Sequence, residues 1–244
     1  MEKRKEGGFG ELLRTIIYAV LIALVVRTVA YEPFSIPSGS MIPTLLVGDY
    51  LFVSKYSYGY SRYSLPLSLP LFSGRLFASE PERGDVAVFK LPTDNTTDYI
   101  KRIVGLPGDT IQLIGGILHI NGEAVERIED SAFTFTDAAG TVRALRRYIE
   151  VLPNGRRHTI VELTDHGPFD NTPPYRVPEG HYFALGDNRD SSRDSRFLDE
   201  VGYIPFENLI GRAEIIFFSV DGRIWEFWRW PSTVRAGRLF TRIE

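Results

Sequence analysis

Residues 12–31 read LLRTIIYAVLIALVVRTVAY, and this stretch constrains the fold more than any other. Between Arg14 and Arg27 the chain runs uncharged from residue 15 to residue 26. A helix that crosses a bilayer needs ~20 mainly apolar residues. The stretch reaches that length if both arginines extend to the two lipid–water interfaces. A cleavable leader is the competing reading, with Thr28-Val29-Ala30 as its small-x-small site. Arg27 stands where such a site should be small and uncharged, so a retained anchor is expected. Lys3, Arg4, Lys5 and Arg14 precede the apolar run, and no Lys or Arg follows Arg27 until Lys55. Basic flanks stay on the cytoplasmic side. The expected layout is a cytoplasmic tail (1–11), a single-pass anchor (12–31) and an extracytoplasmic domain (32–244).

The remainder reads as β-structure. VAVFKL (86–91), DYIKRIVGL (98–106), HYFALGD (181–187) and AEIIFFSVDG (213–222) are β-branched and aromatic runs between turn residues. TIQLIGGILHING (110–122) predicts a hairpin around Gly115-Gly116 that closes on Asn121-Gly122. No long segment after residue 31 keeps a helical period. The span from about 122 to 180 is more polar and turn-rich. With the hairpin before it, residues 110–180 are expected to form an inserted β-rich subdomain.

Composition excludes several functions. The balance of 28 Lys+Arg against 31 Asp+Glu speaks against a nucleic-acid binder. With no cysteine there is no disulfide, thiolate metal site or Cys nucleophile. His119, His158, His166 and His181 have no metal-ligand spacing. No cofactor and no metal are expected. Two segments are unusually apolar for loops: YSYGYSRYSLPLSLPLFSGRLF (56–77), and Trp225, Phe227, Trp228 and Trp230 interleaved with Arg223 and Arg229. They read either as ordinary packing or as a rim facing the membrane, where Trp and Tyr settle.

Three segments carry candidate chemistry. In IPSGSMIPTLLVGD (36–49), Pro37, Gly39 and Pro43 preclude a regular element, so two serines lie in a shaped loop. In DYIKRIVGLPGD (98–109), strand alternation puts Tyr99, Lys101 and Ile103 on one face and Ile100, Arg102 and Val104 on the other. Lys101 is then either an edge lysine that wards off aggregation or a desolvated base. Burial can lower a lysine by ~3–5 pKa units, enough for an amine to deprotonate a serine without histidine. In GDNRDSSRDSR (186–196), acids and arginines alternate in a way that suits a salt-bridged loop, and Arg189 breaks any EF-hand series. There is no GxSxG and no SxxK.

Together these segments resemble type I signal peptidases, the bacterial leader peptidase family. The resemblance rests on the anchor, PSGSMIPTL, RGDVAVFKLP (83–92), YIKRIVGLPGD (99–109) and GDNRDSSRDSR, in the family's order. It implies a mainly antiparallel β fold and a membrane-bound serine protease acting on the outer face of the cytoplasmic membrane. It implies Ser40 as nucleophile and Lys101 as general base. Ser38 resembles the oxyanion serine, and Ser192 the serine that hydrogen-bonds the lysine. Asp187, Asn188, Arg189, Asp190, Asp194 and Arg196 fall in the loop that braces Ser192. Phe34, Ile36, Met41, Leu45, Tyr99 and Ile100 match pocket positions for small side chains at −1 and −3. The implied partners are signal peptides of preproteins, the phospholipid bilayer and the protein-export machinery. The alternatives are a specialised maturation peptidase, a self-cleaving repressor of related fold, and a non-catalytic β-domain that binds exported chains. The chain departs from the family pattern in three ways. It shows one anchor where some members have two, it lacks Cys, and its 56–77 segment has no template.

Overall fold

The computed structural model describes residues 9–65, 68–136 and 142–244. Helix α1 (Phe9–Val29) has 21 residues, none of them buried against protein. At 1.5 Å per residue it is ~31 Å long, the thickness of a bilayer's hydrocarbon core. It starts three residues before the expected start at 12 and stops two short of the expected end at 31, because Tyr31 already pairs with Ser54 in a sheet. Pro33 also disfavours helical backbone at Glu32. Only Ala30 separates helix from strand, and its carbonyl accepts from Lys55 N at 2.9 Å. Lys3, Arg4 and Lys5, on which the expected orientation depends, lie outside the described residues. So do 66–67 of the aromatic segment and 137–141 of the polar span.

The strands follow in chain order: β1 (Tyr31–Ser35), β2 (Asp49–Ser54), β3 (Val86–Lys90) and β4 (Asp98–Gly105). Next come β5 (Thr110–Ile114), β6 (Ile117–Ile120), β7 (Glu123–Ala124), β8 (Glu126–Thr136), β9 (Val142–Val151) and β10 (Arg157–Glu162). The chain ends with β11 (Tyr175–Arg176), β12 (His181–Leu185), β13 (Ile204–Pro205), β14 (Leu209–Ser219) and β15 (Thr241–Arg242). The main sheet has the order β1-β2-β14-β3-β4-β12-β13, with β15 on β14. All its pairs are antiparallel. The fold is therefore mainly β, behind one apolar helix.

The chain between β4 and β12 makes two further sheets, β11-β5-β6-β7 and β10-β9-β8. The expected turn sits at Gly115-Gly116, both with positive φ, which a two-residue hairpin loop requires. The first of these sheets is not autonomous: Ile111, Leu113, Leu118 and Ile120 share one core with Val104, Phe183 and Leu185 of the main sheet. The second packs Leu145 and Val161 on Ile42, two residues beyond Ser40. Segment 56–77 divides. Tyr58 and Tyr63 are buried, while Leu71 and Phe77 are exposed.

Candidate active site

The loop from Ile36 to Gly48 is closed by Ile36 N on Asp49 O (2.9 Å) and Gly48 N on Ile36 O (3.0 Å). Met41 and Leu45 are fully buried and root it in the core under β2 and β14. Ser40 is 8% exposed. Its carbonyl accepts from Asn188 N at 3.1 Å, and Gly39 O accepts from Asn188 Nδ2 at 3.1 Å. The Ser40 N–H has no acceptor among the described residues. Ser38 is exposed, with its hydroxyl 3.4 Å from that of Ser40.

Lys101 lies opposite Ala87 in the β3–β4 ladder and is 4% exposed. Its Nζ lies 2.8 Å from Ser40 Oγ and donates to Ile100 O at 2.8 Å. The Tyr99 ring centroid is 5.3 Å away, so Tyr99 and Lys101 share a face as alternation predicts. Among the described residues no carboxylate makes a salt bridge with the ammonium. Burial pushes it down from 10.5 to about 8, against the pull of Asp194 and Asp187. The edge-strand reading of Lys101 therefore fails: the amine is held inside, against a hydroxyl.

The loop after β12 is braced by buried ion pairs. Asp187 accepts from Arg102 Nε (2.9 Å), Arg102 Nη2 (2.8 Å) and Thr44 Oγ1 (2.5 Å). Asp194 takes Arg196 Nε at 2.8 Å and Gly186 N at 3.0 Å. Arg189 grips Glu150 of β9. Asp190 accepts from Leu163 N (2.6 Å) and Thr164 N (3.1 Å). Ser192 differs from expectation. Lys101 contacts Ser40 and Ile100 and makes no hydrogen bond to the buried Ser192 hydroxyl, whose influence falls on Asp194 instead.

Ser40 and Lys101 open onto a cleft of about 620 Å³. Of the residues expected at the pockets, Phe34, Ile36, Tyr99 and Ile100 line it, and so does Ser38, expected at the oxyanion. Met41 and Leu45 do not, since both side chains are consumed by the core beneath. Pro33, Val88, Asp98, Ser191 and Arg193 line it without having been singled out. Asp98 opens a chosen segment (98–109), and Arg193 lies inside another. Val88 lies inside the 83–92 motif, but its place at the cleft comes from the β3–β4 register, where it faces Ile100. The cleft runs between two edges that are free among the described residues: β1 pairs there only with β2, and residues 98–101 of β4 only with β3.

A buried serine and lysine on an antiparallel β scaffold define a class, and the comparisons fix the family. The profile described as "Signal peptidase, peptidase S26" matches residues 9–218. The signal peptidase I of Rickettsia typhi is 43% identical over 245 residues, covering 93% of this chain and 90% of that protein. The signal peptidase I of Rickettsia canadensis is 42% identical over 249 residues, covering 94% and 92%. A solved signal peptidase I from Enterococcus faecalis is 25% identical, covers 55% of this chain and 97% of its own, and has a TM-score of 0.31. The chain belongs to the signal peptidase family, peptidase S26, and is a serine endopeptidase.

Proposed function

We propose that this endopeptidase removes amino-terminal signal peptides from exported preproteins, with Ser40 as nucleophile and Lys101 as its base. The observation that carries the reading is the 2.8 Å approach of Lys101 Nζ to Ser40 Oγ in a buried setting. A neutral amine takes the Ser40 proton as oxygen attacks the scissile carbonyl. The ammonium so formed then protonates the leaving amine, the two-stage role of histidine in the better-known triad. The Ser40 N–H and the Ser38 hydroxyl supply the oxyanion donors. The two free strand edges suit a substrate bound as an added strand. Phe34, Ile36, Val88 and Ile100 give the cleft an apolar wall that accepts small side chains at −1 and −3.

Helix α1 anchors the enzyme in the bilayer, with its amino terminus cytoplasmic and the cleft on the outer face, where the export machinery delivers preproteins. Trp225, Phe227, Trp228, Leu71 and Phe77 are exposed and form the lipid-facing rim. The test is incubation with a preprotein, followed by amino-terminal sequencing of the product, beside Ser40→Ala. Cleavage after a small residue, lost in the variant, supports the reading. An uncut preprotein, or a Ser40→Ala enzyme that still cuts, overturns it. A peptide series at −1 should fall steeply from Ala and Ser to Val, Leu and Lys. A flat series removes the specificity while leaving the dyad.

A further inference from the structure

The three-stranded sheet β8–β10 lies outside the main sheet, yet it is fastened directly to both catalytic loops. Val161 N donates to Asp187 O at 2.9 Å, and Leu163 N and Thr164 N hold Asp190. Leu145 and Val161 pack with Ile42 just past Ser40. At the centre of this contact stands Glu150 of β9, fully buried. Its two oxygens take the two Arg189 Nη groups at 2.8 and 2.5 Å. His158 Nε2 is 3.1 Å from one of them, and burial pushes its imidazole below the usual histidine range. Burial pushes the Glu150 carboxyl up, but Arg189 and His158 outweigh it and hold the group at about 2.

Arg189 in turn connects to the reacting groups by two routes. Its carbonyl accepts from Arg196 Nη2 at 2.6 Å, and Arg196 holds Asp194, the acid that acts most strongly on Lys101. The residue before it, Asn188, holds the carbonyls of Gly39 and Ser40. A buried ion pair adds little net stability over apolar side chains of the same volume. What a bidentate pair adds is direction, because it fixes the plane of the guanidinium.

We infer that Glu150 is a positioning residue for the dyad, clamping Arg189 so that loop 187–196 holds Ser40 and Asp194 in place around Lys101. The inference rests on the Ser40–Lys101 reading above. A misplacement of ~1 Å costs on the order of 10²-fold in rate. In the full chain, Glu150→Gln keeps the side chain's shape and loses the charge-assisted grip. Its kcat per titrated active site on a preprotein is expected to fall ~10–100-fold, with KM within about threefold of wild type. Arg189→Ala should fall at least as far and recover in part on addition of millimolar guanidinium, which a purely structural loss would not do. If Glu150→Gln does not fold, Arg189→Lys reads the same clamp, since an ammonium keeps the charge without the fork. A wild-type enzyme that leaves the preprotein uncut defeats the dyad reading. A wild-type enzyme that cuts, beside folded variants with kcat per site within twofold of it and no guanidinium effect, defeats this inference alone.

Discussion

Lys101 and Arg102 are adjacent on β4 and almost equally buried, yet the two faces of the strand treat their charges oppositely. On the cleft face the amine meets a hydroxyl, a carbonyl and the Tyr99 ring. On the other face Arg102 meets both oxygens of Asp187, with Gly84 O at 2.8 Å and Glu244 O at 2.9 Å. Desolvation acts on both cations, but only the second is repaid by a carboxylate. Strand alternation thus sets two neighbouring basic residues in opposite surroundings, one facing a hydroxyl and one gripped by a carboxylate.

The comparison breaks most visibly on the cleft face. Lys101→Arg and Ser40→Ala should each lower kcat/KM on a preprotein by at least ~10⁴-fold, because a guanidinium stays protonated and an alanine has no nucleophile. Near-normal cleavage by Lys101→Arg would show that the cleft face needs no neutral base.

On the opposite face the expected loss is of stability. Arg102→Met leaves Asp187 buried with Thr44 but no cation, which costs ~3–5 kcal/mol. Urea unfolding should show it as a lower midpoint with an unchanged slope. An unchanged midpoint would mean that water reaches Asp187.

Lys101→Met should move stability the other way. The amine's drop from 10.5 to about 8 means that below pH 8 the fold bears the cost of a buried, unpaired ammonium. At 1.36 kcal/mol per pKa unit, removing it stabilises the protein at pH 7 by up to ~3 kcal/mol. The gain should shrink between pH 8 and 10.5, where the unfolded chain holds the proton more tightly than the folded one. Opposite signs for Arg102→Met and Lys101→Met would sharpen the contrast, and equal signs would erase it.

Much of this arrangement was legible in the sequence, for identifiable reasons. The apolar helix announces itself by composition, and β4 by alternation, so the opposed faces of Lys101 and Arg102 could be written down in advance. The serine loop and the 186–196 loop were legible as motifs. What escaped depends on contacts distant in sequence. Glu150 lies 39 residues from Arg189 and sits in a strand with no motif. Met41 and Leu45 were expected at the cleft, but apolar type alone does not tell a pocket wall from the core beneath it. Ser192 was expected to bond the lysine. That bond turns on ångström-scale geometry, which no spacing encodes. Segment 56–77 read as one aromatic block, yet its tyrosines at 58 and 63 are core, whereas Leu71 and Phe77 face outward.

The smallest effect expected is the pH dependence of the wild-type enzyme, and it probes the contrast without any mutation. With Lys101 at about 8, roughly one amine in eleven is neutral at pH 7 and about ten in eleven at pH 9. The value of kcat/KM should therefore rise about tenfold across that interval, along a single limb with its midpoint near 8. The flanking acids add no limb of their own there. Burial pushes Asp187 and Asp194 up, but Arg102 and Arg196 outweigh it and hold both below the usual carboxylate range. Glu162 does titrate nearby, since burial pushes it up to about 8 despite Arg189 and Arg127. It lies on β10, and Glu162→Gln separates the two: a limb that survives the substitution belongs to Lys101, and a limb that vanishes belongs to Glu162. A midpoint near 10.5 would mean that the cleft face is as wet as solvent. A flat profile from pH 6 to 9 would remove Lys101 as the base and leave its burial, and the difference from Arg102, without a catalytic purpose.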